Sequence, residues 1–160
     1  MPPFTIEPAR TPAHLAAIAV LFREYADSLD IDLDFQAFDA ELAALPGRYA
    51  PPEGELLLAL DGASAPIGCV ALRALDADAC EMKRMYVRPA ARRLGLGRAL
   101  VAAVLREAEA RGYAEMRLDT LASMTPALTL YRSFGFAEIA AYCYNPIPTA
   151  VYLGKQLGRG

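Results

Sequence analysis

Arg92-Arg93-Leu94-Gly95-Leu96-Gly97-Arg98 joins a strand-like run, Glu81-Met82-Lys83-Arg84-Met85-Tyr86-Val87, to an amphipathic helix that begins near Leu96. Two glycines let the main chain pass close to a ligand with no Cβ in the way. The turn opens into a helix N-terminus, where unpaired N–H groups and the helix dipole attract anions. Arg92, Arg93 and Arg98 add positive charge to the same stretch. Together these features predict a seat for a diphosphate, with main-chain N–H groups of Arg93, Leu94, Gly95, Leu96, Gly97 and Arg98 as donors. The bland alternative is a tight strand-to-helix turn carrying surface arginines.

Other phosphate loops fit worse. No Gly-x-x-x-x-Gly-Lys-Ser/Thr string occurs, so this is not a Walker A loop. A dinucleotide fingerprint needs a third glycine three residues after the second, and that position is Leu100.

Composition narrows the class further. A chain of 160 residues, 55% hydrophobic, suffices for one domain with a sizeable core. No run approaches the roughly 18 apolar residues of a membrane span. The N-terminus, Met1-Pro2-Pro3-Phe4-Thr5-Ile6-Glu7, lacks the basic and apolar regions of a signal peptide. A net charge of −3 argues against wholesale nucleic-acid binding. Cys69, Cys80 and Cys143 are widely spaced, and His14 is the only histidine, so a zinc site is not expected. Cys69 and Cys80, in strand-like runs, are expected to pack as small hydrophobes, and a reduced, cytoplasmic setting is the expectation.

Thr11-Pro12 signals a helix start, and Leu15, Ile18, Phe22 and Tyr25 recur at helical spacing after it. Asp34 is placed to cap a second helix with Phe35, Phe38, Leu42 and Leu45 on one face. Asp27, Asp30, Asp32 and Asp34 read as a solvated turn, or as an acidic rim for a cationic amine. Strands are expected over 4–8, 56–60, 67–72, 79–87, 116–121, 137–141 and 150–157. Helices are expected over 96–111, with Gly112 as its glycine cap, and over 126–133. The order is strand, two helices, three strands, helix, strand, helix, two strands. It predicts an α/β class fold, a mixed sheet with helices on its faces.

Arg92-x-x-Gly95-x-Gly97, after a strand ending Val87-Arg88-Pro89, resembles the acetyl-coenzyme A loop of the GNAT acetyltransferase superfamily. Downstream, Tyr131-Arg132-Ser133-Phe134-Gly135-Phe136 resembles that superfamily's Tyr-x-x-x-Gly-Phe signature. The resemblance runs from about Glu55 to the C-terminus. It implies a single N-acetyltransferase domain over 1–160, with about six to seven strands, about four helices and one splayed parallel pair, 81–87 beside 116–121. It also implies acetyl-CoA as co-substrate, its pantetheine arm between the splayed strands. Unpaired main-chain groups there suit a ligand with two amides. Met85 and Val87 would make main-chain contacts, and an N–H near Met85 would polarise the acetyl carbonyl.

The implied reaction is attack of a neutral amine on a thioester. Tyr131 occupies the tyrosine position that implies the acid for the departing thiolate. A thiol near ~8.5 to 9 suits a phenol near ~10 as donor. Glu81, fourteen residues before Gly95, sits where some members carry a glutamate base, acting directly or through water. The rival reading pairs it with Lys83 or Arg117. One departure is Met124, seven residues before Tyr131, where related proteins often carry asparagine. The resemblance further implies an acceptor pocket built by the first two helices and the last hairpin, to which Tyr25, Tyr142 and Tyr144 belong. The expected partner is a small-molecule amine, with no nucleic acid or membrane involved, and a homodimer is compatible with the resemblance. A non-catalytic acyl-CoA-binding module on the same scaffold is the alternative, as is acetylation of a peptide amine.

Overall fold

The computed structural model describes residues 3–29 and 37–158. Asp30, Asp32, Asp34 and Phe35, read above as an acidic turn and the start of the second helix, lie outside the described residues.

The elements are β1 (Phe4–Pro8), α1 (Pro12–Ser28), α2 (Phe38–Ala43), β2 (Glu55–Asp61), β3 (Pro66–Ala74), β4 (Ala79–Val87), α3 (Leu96–Ala110), β5 (Glu115–Leu121), α4 (Thr125–Ser133), β6 (Ala137–Glu138) and β7 (Ala150–Gln156). The strands form one seven-stranded sheet in the order β1-β2-β3-β4-β5-β7-β6. Among the described residues, only β4 and β5 pair in parallel. This is the mixed sheet that the order of elements predicts.

Burial on both faces explains the sequence of the central strands. Leu56, Leu58, Cys69 and Ala71 pack against Ile18, Leu21 and Phe22 of α1. Leu57, Ala59, Val70 and Leu72 face Leu100, Val101 and Val104 of α3. A strand covered on both sides reads as a continuous apolar run rather than an alternating one, as Leu56-Leu57-Leu58-Ala59 does. Each fully buried leucine contributes roughly 1.5–3 kcal/mol, so these two layers dominate stability. Local signals fix the helix ends. The Thr11 hydroxyl accepts from the His14 N–H at 3.1 Å, and Gly112, at φ 85°, donates its N–H to Glu109 at 3.0 Å behind α3.

A buried carboxylate ties the N-terminal segment to the far end of α3. Glu55, 2% exposed, accepts both Arg10 guanidinium nitrogens at 2.6 and 2.8 Å, Arg111 at 3.1 Å and the Leu56 N–H at 2.9 Å. Burial pushes this carboxyl up, but those donors outweigh it and hold it below the usual range.

Two features of β4 prepare the site. Its ladder with β5 holds only Ala79↔Glu115, Cys80↔Met116 and Glu81↔Arg117. Beyond that point β4 stays on β3 and β5 stays on β7, so the parallel pair splays. A bulge accompanies the splay. Between Cys69↔Tyr86 and Ala71↔Lys83, β4 carries one extra residue, and Arg84 takes φ 58°. A bulge bends its strand and raises local twist. Arg84 is held there by both Glu41 oxygens at 3.0 Å, with its guanidinium 5.1 Å from the Phe38 ring centroid.

The strand expected over 137–141 is shorter than its sequence suggests. β6 covers Ala137–Glu138, and the Ile139 N–H still donates to Tyr152 at 2.8 Å. The chain then leaves the ladder, because its polar groups have other partners. Asn145 bonds Asp119 and accepts the Ile147 N–H, while Pro146 and Pro148 have no N–H to give.

Candidate active site

The glycine turn is built as a helix mouth. A short 3-10 turn, Pro89–Leu94, leads to Gly95 at φ 74°, a left-handed conformation that glycine adopts without a Cβ penalty. The first bond of α3 is from the Ala99 N–H to Gly95 at 3.2 Å. Among the described residues, the N–H groups of Leu96, Gly97 and Arg98 donate to no protein acceptor, and no side chain caps the helix. Gly97 is open rather than cramped: a Cβ there would meet Leu130 Cδ2 at 3.4 Å.

From this mouth a groove leads inward along β4. Val87, Arg92 and Gly97 line its outer part with Ala127 and Leu130 of α4. Tyr25, Met85 and Met124 form walls common to this groove and to the cleft between the splayed strands. That cleft ends at Tyr131. The tyrosine is 7% exposed and packs edge-on against Phe136 at 6.0 Å. No protein group among the described residues bonds its hydroxyl. Burial pushes its ionisation well above that of an ordinary phenol. Met124, seven residues before Tyr131, supplies its sulfur to the Thr120 hydroxyl at 3.4 Å.

The proposed loop residues therefore divide. Met85, Val87, Arg92 and Gly97 line the groove. The side chain of Leu96 is wholly buried in the core, which leaves its N–H as the contributing group. Leu94 is exposed, as is Arg93. Arg98 turns toward α4, bonding the Ser133 hydroxyl at 3.1 Å and lying over Phe134.

A second pocket opens on the opposite side of the splay, lined by Glu41, Arg73, Glu81, Lys83, Arg84, Asp119, Cys143 and Tyr144. Glu81 is 1% exposed. It accepts Arg73 Nε at 2.8 Å on one oxygen and the Tyr142 hydroxyl at 2.6 Å on the other. Neither Lys83 nor Arg117 is its hydrogen-bond partner in these contacts. Tyr142 also packs edge-on against Tyr152 and under Arg117. Tyr144 forms an exposed part of the wall, and Tyr25 stands on the cleft side. Burial lowers the Lys83 amine from its ordinary range, opposed by Glu81 and Asp119. It pushes the Cys143 thiol up to about 11, helped by the same two carboxylates.

A family description now meets this geometry. The Acetyltransferase (GNAT) family model matches residues 15–136. The chain belongs to the GNAT acetyltransferase family. An uncharacterised N-acetyltransferase of Schizosaccharomyces pombe is 40% identical over 156 residues, covering 97% of this chain and 96% of the relative. An acetyltransferase from Streptococcus agalactiae has the same fold at TM-score 0.81 and 22% identity, covering 98% of this chain and all of that one. YncA of Salmonella typhimurium, solved with its cofactor acetyl-CoA, matches at TM-score 0.75 and 20% identity over 99% of this chain and 96% of that one. This GNAT protein is an acyltransferase of that type. No helix among its described residues is long and apolar enough to cross a membrane.

Arg73, Arg84, Glu41, Asp119 and Asn145 escape a reading by motif. A signal for Asp119 exists: Arg117 and Asp119 alternate with Met116 and Leu118, as Glu81 and Lys83 do with Cys80 and Met82. Two adjacent strands with polar residues on one face indicate a polar pocket there.

Proposed function

We propose that this chain, as one domain, transfers an acetyl group from acetyl-CoA to the primary amine of a small molecule by direct attack in a ternary complex. The observation that carries this reading is the parted β4–β5 pair, which joins a helix mouth at one end to the Tyr131 hydroxyl at the other. The N–H groups of Leu96, Gly97 and Arg98 suit the diphosphate, supported by Arg92. The strand edges beyond Glu81 and Arg117 suit the amides of the pantetheine arm. YncA, with its cofactor acetyl-CoA on the same fold, supports acetyl-CoA as the co-substrate.

In the reaction the amine nitrogen bonds the acetyl carbon and the carbon–sulfur bond breaks. A main-chain N–H near Met85 stabilises the charge that develops on the acetyl oxygen. Tyr131 protonates the departing thiolate, and Glu81 receives the amine's proton through water in the acceptor pocket. Attack is direct rather than through an acyl-cysteine. With its thiol raised to about 11, Cys143 stays protonated near neutrality, and a thiol is a poor nucleophile compared with a thiolate.

Thiol release from acetyl-CoA tests the reading. Purified protein is expected to liberate coenzyme A only when a primary amine is supplied, and to gain thermal stability from acetyl-CoA alone. Binding with no amine-dependent release across a broad panel would favour a non-catalytic module instead.

A further inference from the structure

The groove and the cleft differ sharply in size. The outer groove along β4 has a volume of about 370 Å³. Past the neck made by Tyr25, Met85 and Met124, the cleft has about 40 Å³, against roughly 150 Å³ for a cavity that admits benzene. The groove therefore suits a long ligand, and the cleft suits only the small group at its tip.

Of the three neck residues, Met124 reaches furthest toward the inner wall. It stands just ahead of α4, and its main chain is tied on both sides. Its N–H donates to Leu121 at 3.0 Å, and its carbonyl accepts the Leu128 N–H at 3.0 Å. Its sulfur accepts the hydroxyl of Thr120 at 3.4 Å. Thr120 is buried and lines the cleft but not the groove. Methionine is an adaptable side chain, and here these contacts give it one place, with the thioether inside the cleft.

Resting on the acetyl-transfer reading, we propose that Met124 sets the length of the acyl group: its thioether fills the space where a third and fourth acyl carbon would lie. With the thioester sulfur facing Tyr131 and the carbonyl beside β4 at Met85, the acyl tail lies inside the neck. It can lengthen in two directions. Toward Lys83 and Asp119, which line both cleft and acceptor pocket, it would strip water from charged groups and stand where the amine approaches. In the other direction it meets Met124 together with Met82, Leu118 and Leu121. Those three are 3%, 2% and 8% exposed, and packed side chains on strands yield only with strain. Met124 is half-buried and sits on a connection, so it is the wall whose truncation opens the cleft without hollowing the core.

Kd and amine-dependent thiol release are compared for acetyl-, propanoyl- and butanoyl-CoA, with free coenzyme A as the control that carries no acyl group. One methylene too many in a tight apolar pocket is worth about 10- to 200-fold. The parent is expected to favour acetyl- over butanoyl-CoA by roughly 30-fold or more in kcat/KM and by about tenfold in Kd. Met124→Ala should bring both ratios within about threefold, whereas Met124→Leu, close in volume, should keep them. An unchanged Kd for free coenzyme A shows that each variant is folded. Butanoyl-CoA bound and used as well as acetyl-CoA by the parent, or a preference that survives Met124→Ala, would overturn the role of Met124 and leave acetyl transfer standing. Thiol release from none of the three thioesters with any amine would overturn acetyl transfer, and the Kd series would still decide the role of Met124.

Discussion

Tyr131→Phe is expected to lower kcat about 100- to 1000-fold while leaving the Kd for acetyl-CoA within about twofold, a loss in the range of a removed general acid. The substitution deletes one hydroxyl that no described protein group bonds, so it leaves no orphaned partner behind. The ring would keep its edge-on contact with Phe136 and its place in the α3-side core. Burial raises the phenol, so Tyr131 carries its proton throughout the neutral range. The same dry cleft disfavours a thiolate for the same reason, which keeps donor and acceptor comparable. Rapid-quench or steady-state thiol release, paired with calorimetric binding of acetyl-CoA, measures both quantities. Unchanged turnover would remove Tyr131 from the chemistry and point to solvent as the acid.

Gly97→Asp should separate folding from binding. The added Cβ meets only Leu130 Cδ2 at 3.4 Å. Replacing a helix glycine with alanine removes a cost of about 0.5–1 kcal/mol; aspartate recovers less of it, but an acid in the first turn gains up to about 1 kcal/mol from the dipole. The melting temperature is therefore expected to hold or rise. Binding should collapse. The new carboxylate competes for the N–H groups of the helix mouth and repels a diphosphate, for an expected loss of about 100-fold or more in acetyl-CoA affinity. A Kd within threefold of the parent would place the diphosphate elsewhere. Gly97→Ala, which adds bulk without charge, should fall between the two.

The turn and the helices around it are legible because their rules are local. Thr11-Pro12, Gly95 and Gly112 act within a few residues of themselves, and the structure uses each as expected. The splay comes from the family resemblance, because nothing within 79–87 or 115–121 says where two parallel strands part. The partners of Glu81 are hidden for a related reason. Tyr142 lies 61 positions away in sequence, on a connection whose course depends on Asn145 finding Asp119. Lys83 and Asp119, 4.0 Å apart, need the parallel register before the two residues can be set side by side. The strand expected over 137–141 is cut short for a related reason: the chain leaves β7 after Ile139 while β7 runs on to Ala150, and strand propensity alone does not say where pairing stops.

The most direct test is the structure of the complex with acetyl-CoA. The account predicts diphosphate oxygens about 2.9 Å from the main-chain nitrogens of Leu96, Gly97 and Arg98, the pantetheine amides on the free edges of β4 and β5, and the thioester sulfur facing Tyr131. Those three nitrogens bonded instead to neighbouring protein groups, with the ligand lying outside the β4–β5 gap, would contradict it.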